Sequence, residues 1–314
     1  MSMIILWIVL VLAAVILAAA YLCYKKGLVP PEQTEKMLFY MPKTEQYEPY
    51  RDEFRAMTRA ALAIEYEDVY TESYDGYKLH AKLYKGASPD ASVQILFHGY
   101  KSGAERDFCG GLQFAREGGY NVILVDERAH GKSEGKCLTL GIKERYDCLS
   151  WVNFAIEHFG ANIKILLYGM SMGATTVLMA SGLDLPKNVV GIAADCGYTS
   201  PAAIVKKVLR DYKAPVALVY PLARLAGLLF GGFDIDKASA PDALANCTIP
   251  VLFVHGGDDR FVPCDMGREN YAACASQYKR FLVVPNAGHG LSYMLDKKAY
   301  LDALHEFQRV ALGE

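Results

Sequence analysis

Six short and almost uninterrupted apolar segments constrain the fold of this chain more than any other feature. They are residues 93–97, 122–125, 163–168, 189–194, 251–254 and 281–284. Strands that are buried on both faces have this continuous apolar character, whereas half-exposed strands alternate polar and apolar residues. Stretches with helical periodicity separate the segments, so the pattern predicts an α/β fold with a mostly parallel central sheet and helices on both faces.

The predicted helices between these strands are long enough to serve as crossover connections. They cover residues 110–117, 142–158, 173–182 and 266–276. Two alternating runs, residues 68–74 and 78–84, precede the first apolar segment and flank Asp75-Gly76. Asp-Gly between alternating runs is a strong hairpin signal, so we expect an antiparallel hairpin that leads into the sheet.

Two regions fall outside the regular alternation. Residues 51–64 carry one apolar stripe, which predicts a helix that covers the core. Between Cys196 and Ile249 no strand pattern is present, and residues 204–208 and 214–229 favour helices. This insertion is either a lid over the carboxyl ends of the strands or an ordinary crossover with one extra helix.

The N-terminal segment predicts a membrane anchor. No charged residue occurs from Ser2 to Tyr24, and at about 1.5 Å per residue such a helix spans roughly the 30 Å hydrocarbon layer. A cleaved signal peptide is the alternative, but it favours positive charge before a shorter apolar core. Lys25 and Lys26 follow directly, which favours a single-pass cell-membrane protein with a cytoplasmic catalytic domain.

These observations divide the chain into three parts. Residues 1–26 form the transmembrane anchor, and residues 27–65 form a proline-containing linker and the amphipathic helix. Residues 66–314 form the main domain, with the helical insertion at about 198–246. Eight cysteines are scattered along the chain without the spacing of a disulfide framework, which favours a reducing compartment.

Composition and motif failures exclude several function classes. The net charge is −2 and no basic run interleaves with aromatics, so we expect no nucleic-acid partner. The usual zinc-ligand spacings are absent, and we predict neither a metal nor a cofactor. Gly131-Lys132-Ser133 follows a strand, but a phosphate-binding loop requires glycine where Asp126 stands.

The strongest chemical signal is Gly169-Met170-Ser171-Met172-Gly173. It lies where a predicted strand ends and a predicted helix begins. The glycines permit a tight, strained turn that exposes the serine hydroxyl above the sheet edge, and the helix N-terminus favours developing negative charge. Ser171 is therefore the candidate nucleophile.

A serine nucleophile requires a base and an acid that orients the base. His289 follows the last predicted strand and suits the base, whereas His98, His130 and His255 favour structural roles and His305 a surface position. The acid belongs on an earlier strand-end loop. Three carboxylates compete for that role, namely Asp195, Asp258 and Asp259.

Three motifs resemble the α/β-hydrolase superfamily over roughly residues 68–310. They are His255-Gly256 with Asp259 and Val262-Pro263, then Phe97-His98-Gly99-Tyr100, and finally Asp126 to Ser133, in which Ala129 replaces the usual glycine. The resemblance implies that Asp259 is the acid, with Asp195 the runner-up and Asp258 third. It also implies that the backbone N–H groups of Tyr100 and Met172 bind the oxyanion.

The predicted function is a serine hydrolase that cleaves a carboxylic ester through an acyl-enzyme. The expected substrate is a small ester or a lipid-like molecule, and the second partner is the membrane, through the N-terminal helix. A peptidase or acyl-peptide hydrolase and a thioesterase are the enzymatic alternatives. A non-catalytic, membrane-tethered binding protein on the same fold is the alternative from a different class.

Overall fold

A single mixed sheet forms the centre of the molecule. The computed structural model describes residues 2–314. Within them, eight strands lie in the order β1-β2-β4-β3-β5-β6-β7-β8. The strands are β1 (Glu67–Glu72), β2 (Lys78–Tyr84), β3 (Val93–Phe97), β4 (Asn121–Val125), β5 (Ile165–Met170), β6 (Val189–Asp195), β7 (Val251–Gly256) and β8 (Lys279–Val284). The six apolar segments correspond to β3–β8, so the predicted sheet is confirmed.

Strand direction follows the predicted pattern. Strands β1 and β2 form an antiparallel hairpin around Gly76, whose φ of 84° suits glycine. Strand β2 also pairs antiparallel with β4, with Ala81 opposite Val125. All pairs from β4 through β3 to β8 are parallel. The carboxyl ends of β3 to β8 therefore meet at one edge, where their loops gather.

Helices cover both faces of the sheet, as predicted. One face packs against side chains such as Trp151 and Val177, and the other against Phe54, Leu112 and Phe307. The helices that follow the anchor region are α2 (Glu35–Leu38), α3 (Arg51–Leu62), α4 (Ala104–Asp107), α5 (Cys109–Glu117), α6 (Glu144–Phe159), α7 (Met172–Ala180), α8 (Pro201–Asp211), α9 (Val216–Ala226), α10 (Ala240–Leu244), α11 (Cys264–Ala273), α12 (Ser292–Leu295) and α13 (Lys297–Leu312). We refer to the second side as the α5/α13 face.

Local signals determine where several helices begin and end. Asp296 Oδ1 accepts a hydrogen bond from the Ala299 N–H at 2.9 Å at the start of α13. Gly313 ends that helix in the left-handed region with φ 74°. Ser200 caps α8 in the same way, since its side chain accepts from the Ala203 N–H at 3.1 Å. These caps satisfy backbone groups that have no partner inside the helix.

The N-terminal helix α1 (Ser2–Cys23) projects from the domain. It is long and apolar enough to cross a bilayer by length and composition. Its side chains from residues 3–18 are exposed, whereas Ala20, Tyr24 and Leu28 are buried against the domain. A continuous exposed surface of leucine, isoleucine and valine is unfavourable in water.

The insertion after β6 contains helices α8, α9 and α10 and no strand within the described residues, as predicted. Helix α9 contacts α1, and the Tyr21 and Phe230 rings meet edge to face at 5.3 Å. Leu218, Leu228 and Leu229 remain exposed on the insertion. The insertion therefore places further apolar surface beside the N-terminal helix.

Candidate active site

The turn between β5 and α7 holds Ser171 in an unusual backbone conformation. Ser171 has φ 55° and ψ −109°, a combination that costs a non-glycine residue about 1–3 kcal/mol. A Cβ at Gly169 would lie 2.2 Å from the Gly173 carbonyl oxygen. A Cβ at Gly173 would lie 1.9 Å from the Phe97 carbonyl oxygen. Both glycines are therefore required for the close approach of β3, β5 and α7 around the serine.

Three of the predicted residues form one continuous hydrogen-bonded chain. The Ser171 hydroxyl donates to His289 Nε2 at 3.0 Å, and His289 Nδ1–H donates to Asp259 Oδ2 at 2.7 Å. Because an ionised carboxylate only accepts hydrogen bonds, Asp259 selects the His289 tautomer whose free Nε2 faces the serine. This is the arrangement in which an imidazole can take the serine proton.

The surroundings of Asp259 favour its ionised form. Its second oxygen, Oδ1, accepts from the backbone N–H groups of Phe261 at 2.9 Å and Val262 at 2.8 Å. Burial alone would raise the pKa of Asp259, but the charge of His289 and the hydrogen bonds from His255 and His289 outweigh burial. The pKa of Asp259 consequently lies well below its usual range.

The other two candidate acids make different contacts. Asp258 accepts from Gln46 Nε2 at 2.8 Å and pairs with Arg260 on the surface. The backbone oxygen of Asp195 accepts from the Ser171 N–H at 2.8 Å, but its carboxylate does not reach His289 through a hydrogen bond in the described part of the chain. Among these three carboxylates, Asp259 is the one that bonds the His289 imidazole in the described part of the chain.

The loop after β3 lies beside the serine. A Cβ at Gly99 would lie 3.3 Å from Ser171 Cβ, so the Gly99-Tyr100 backbone borders the nucleophile. Asp107 Oδ2 accepts from the Gly99 N–H at 2.7 Å and holds this loop. Met172 begins α7, and N–H groups in the first turn of a helix have no partner inside the helix. Tyr100 and Met172 therefore flank Ser171 from two sides.

The remaining histidines of the sequence motifs are built into the fold. His98 Nδ1 bonds the Gly99 carbonyl at 2.8 Å, and His130 Nδ1 bonds the Arg128 carbonyl at 2.9 Å. His255 Nε2 bonds the Val262 carbonyl at 2.9 Å and also lies 3.5 Å from Asp259 Oδ2. His255 therefore supports the acid from behind, and His305 is exposed as predicted.

The stretch from Asp126 to Ser133 also has structural contacts. Asp126 Oδ2 bonds His80 Nδ1 at 2.7 Å, and the Ser133 hydroxyl donates to the Asp126 carbonyl at 2.6 Å. Ala129, which replaces the usual glycine, has φ 62° in the left-handed region. The replacement therefore keeps the glycine-like backbone at the expense of local strain.

Cys196 is the one thiol beside the hydrogen-bonded chain in the described residues. Its Sγ lies 4.0 Å from His289 Nε2. Cys196, Asp259 and His289 offer three metal-ligand atoms within 4.8 Å of one another. A metal there would compete with the hydrogen bonds of His289. Burial raises the pKa of the Cys196 thiol well above its ordinary value, so this thiol is a poor rival nucleophile.

The segment from residue 41 to residue 47 covers the site, although its sequence predicts only a linker. We call it the covering segment. The Tyr47 hydroxyl donates to the His289 carbonyl at 2.9 Å, and Gln46 bonds Asp258. Burial raises the pKa of Tyr47 above its usual range, which keeps the hydroxyl protonated as a donor. No periodicity marks such a segment, so the sequence carries no signal for this role.

A cavity of about 900 Å³ opens at Ser171 and His289. The covering segment forms one wall, and the α5/α13 face of the sheet forms another. No described residue between 198 and 246 lines this cavity. The insertion therefore packs beside α1 and does not cover Ser171.

Sequence comparison finds similar proteins in bacteria and in fission yeast. The Bacillus subtilis (strain 168) uncharacterized protein YqkD is 27% identical over 190 residues, 60% of this chain and 62% of that protein. The chain thus matches less than two thirds of YqkD. The Schizosaccharomyces pombe protein bem46 is 24% identical over 254 residues, 78% of this chain and 77% of bem46.

Solved structures show the same fold. An esterase of Pyrococcus furiosus has a TM-score of 0.66 and 22% identity, covering 89% of this chain and 96% of its own. Est1E from Butyrivibrio proteoclasticus, with ferulic acid bound, has a TM-score of 0.59 and 21% identity, covering 78% and 100%. The model of the Alpha/beta hydrolase family matches residues 94–303. With a family match over more than half of its length, and with the sheet order and strained serine turn described above, the chain belongs to the Alpha/beta hydrolase family.

Proposed function

We propose that this protein is a serine hydrolase that cleaves carboxylic esters, with Ser171, His289 and Asp259 as its catalytic triad. The observation that carries the proposal is the continuous chain from the serine hydroxyl through the imidazole to a buried carboxylate, with distances of 3.0 and 2.7 Å. A serine hydroxyl becomes an effective nucleophile only when such a base is in place.

The mechanism follows from these contacts. Ser171 Oγ attacks the ester carbonyl carbon while His289 Nε2 accepts the hydroxyl proton. Asp259 stabilises the imidazolium, and the Tyr100 and Met172 N–H groups bind the oxyanion, each worth a few kcal/mol. His289 then donates its proton to the departing alcohol. Water, activated by the same imidazole, attacks the acyl-serine and releases the carboxylic acid and free Ser171.

An ester is the substrate class best supported among the enzymatic alternatives. The similar solved proteins include esterases from Pyrococcus furiosus and Exiguobacterium antarcticum. A peptidase, an acyl-peptide hydrolase or a thioesterase would use the same three residues. A non-catalytic binding protein would not require the strained Ser171 backbone, which costs stability without a benefit to folding.

The test is labelling with a fluorophosphonate, followed by turnover of p-nitrophenyl esters of graded chain length beside a peptide panel. We expect labelling at Ser171 and ester turnover. Ser171→Ala should abolish labelling, keep the fold and lower kcat by several orders of magnitude, about as other triad deletions do. Near-wild-type turnover by purified Ser171→Ala protein would remove Ser171 from the mechanism.

We also propose that α1 anchors the enzyme in the membrane. Its exposed apolar surface needs a lipid environment, and the exposed Leu218, Leu228 and Leu229 on the adjoining insertion suit the same environment. Lys25 and Lys26 at its end favour a cytoplasmic catalytic domain. Such an anchor would hold the cavity near lipid-like esters without taking part in the chemistry.

A further inference from the structure

The cavity at Ser171 extends along the α5/α13 face of the sheet. Leu96, Leu252 and Val254 line it from the strands, and Leu301 and Leu304 line it from α13. All five belong to the apolar core of that face or pack against it. The interior of the cavity is thus mainly apolar, and it suits a long hydrophobic group more than a peptide backbone.

Small residues create this space. A Cβ at Gly111, on α5, would have only Phe108 Cδ1 within 4 Å, at 3.5 Å. Gly111 lines the cavity, and so does Ala193 on β6. Glycine inside a helix costs about 1 kcal/mol relative to alanine, so the open space has a cost in stability.

One carboxylate enters this apolar space. Asp195 is the register partner of Met170, and it lies on the same face of β6 as Ala193, two residues earlier. Asp195 lines the cavity and is only 5% exposed. The Tyr300 hydroxyl lies beside this carboxylate, but neither carboxylate oxygen meets hydrogen-bond geometry with any described residue, so most of its acceptor capacity is unused. An unsatisfied buried carboxylate is costly and requires an explanation.

The catalytic role cannot explain Asp195, because Asp259 already bonds the imidazole. A packing role in the core cannot explain Asp195 either, since burying an apolar residue of similar size would cost less free energy. What an unpartnered carboxylate in a substrate cavity can do is accept a hydrogen bond from the molecule that enters.

We propose that the cavity binds the hydrophobic chain of the substrate ester and that Asp195 accepts a hydrogen bond from a hydroxyl group on that chain. This inference rests on the proposed ester hydrolysis. A hydroxyl is favoured over an ammonium group because the α5/α13 side of the cavity is mainly apolar, and a cation loses far more solvation there. The substrate class is therefore a hydroxylated aliphatic ester, and Asp195 is a specificity-determining residue.

Binding separates this inference from catalysis. Full-length Ser171→Ala protein in detergent is titrated by calorimetry with methyl octanoate and with the methyl hydroxyoctanoates whose hydroxyl moves along the chain. At least one hydroxylated member should bind about tenfold or more tightly than methyl octanoate, as expected for a hydrogen bond to a charged acceptor. Adding Asp195→Leu should remove that preference, and adding Asp195→Asn should reduce it, with methyl octanoate still bound.

Two controls complete the experiment. Asp258→Asn changes a carboxylate outside the cavity and should keep the preference. Gly111→Leu should weaken binding of every octanoate ester, whereas Gly111→Ala should not. Equal binding of all the esters, or a preference that survives both Asp195 variants, overturns the inference. Wild-type protein that shows the binding preference but hydrolyses no ester, p-nitrophenyl acetate included, supports the binding site and overturns the proposed function instead.

Discussion

At the scale of single residues, two aspartates near Ser171 differ in their hydrogen-bond partners. Asp195 and Asp259 follow neighbouring parallel strands, β6 and β7, and so reach the same edge of the sheet. Only Asp259 bonds His289, at 2.7 Å, and it also receives two backbone N–H groups. Strand-end spacing makes both positions candidates and the family resemblance favours Asp259. In the structure it is Asp259 that bonds the imidazole.

Asp259→Asn is expected to lower kcat by about 10⁴, because an amide can donate to Nδ1 and favour the wrong imidazole tautomer. Asp258→Asn should stay close to wild-type kcat on p-nitrophenyl acetate, because the backbone carbonyl at position 258 can still accept from Gln46 Nε2, as the Asp258 carbonyl does at 3.1 Å. Asp195→Asn should also retain most of its turnover of this short ester. Steady-state kinetics of the three variants provides the ranking. If Asp195→Asn is the most damaging of the three, the assignment of the acid is wrong.

Asp195 should also reduce stability in a pH-dependent way. Burial raises the pKa of Asp195 to about 6, opposed by His255, Tyr300 and His289 and reinforced by Asp259. In the unfolded chain an aspartate has a pKa of about 3.9. A raised folded pKa means that the folded state holds the proton more tightly. The stabilisation that comes from this tighter proton binding is therefore fully present at low pH. It is lost as pH rises from about 4 to about 6.

Asp195→Asn should accordingly be more stable than wild type above about pH 6, by up to about 3 kcal/mol. The advantage should shrink towards zero as pH falls to about 4, where both proteins carry a neutral side chain. Thermal unfolding of both proteins across this range measures the difference, with Asp258→Asn as the control for the same chemical change. An advantage that is independent of pH would mean that Asp195 has the same pKa in the folded protein as in the unfolded chain, so that burial does not raise it.

At the scale of elements, the strands and helices that could be predicted from the sequence are those whose burial leaves a regular apolar pattern. Strand β3 (Val93–Phe97) coincides with an apolar segment, and α6 (Glu144–Phe159) differs from its predicted bounds by one or two residues at each end. Segments that are buried on both sides keep a readable pattern. The serine turn is equally readable, because its glycines meet backbone atoms that no side chain could avoid.

The position of the covering segment could not be predicted from the sequence pattern. Its role depends on single hydrogen bonds to the loops that carry His289 and Asp258, and these bonds leave no periodicity in the sequence. The cavity is equally invisible, since it depends on where α5 and α13 leave a gap. Short-range pattern determines elements, whereas long-range contacts of irregular segments determine the shape of the site.

Tyr47 provides a test of the covering segment. Tyr47→Phe removes the 2.9 Å bond to the His289 carbonyl, which is worth about 1 kcal/mol and corresponds to roughly a fivefold loss of kcat. Because the bond positions the base and not the substrate, KM for p-nitrophenyl acetate should change little. Tyr50→Phe, three residues further along, is the control. Wild-type kcat in Tyr47→Phe would show that the segment only covers the cavity.

At the scale of the whole molecule, the N-terminal helix and the active site are physically connected. The Tyr100 hydroxyl donates to the Gly27 carbonyl at 2.6 Å, and Lys101 Nζ donates to the Lys26 carbonyl at 2.6 Å. The loop that borders Ser171 therefore contacts residues 26 and 27, which lie just after α1.

A protein that begins at Pro31 should be soluble and active. It retains the covering segment and the backbone N–H of Tyr100. Beside Ser171 it loses the carbonyls of Lys26 and Gly27, and elsewhere it loses the buried Tyr24 and Leu28, whose carbonyl accepts from the Leu138 N–H. We expect its kcat to match that of full-length Tyr100→Phe, which loses one of the same bonds without losing the helix. Turnover of p-nitrophenyl acetate by both proteins makes the comparison. An inactive shortened protein beside an active Tyr100→Phe would mean that the helix supports the site through other contacts.

Helix α1 should anchor the full-length protein in the membrane. Full-length protein should remain with the membranes after carbonate washing, because helix α1 exposes apolar side chains along residues 3–18 and has the length to cross the hydrocarbon layer. Lys25 and Lys26 should keep the catalytic domain on the cytoplasmic side, so protease added to intact cells should spare it. Digestion of the domain by external protease would reverse the orientation. A mature N-terminus located after Ala20 would replace the anchor with a signal peptide, and the contact between α1 and α9 would then have no role in the finished protein.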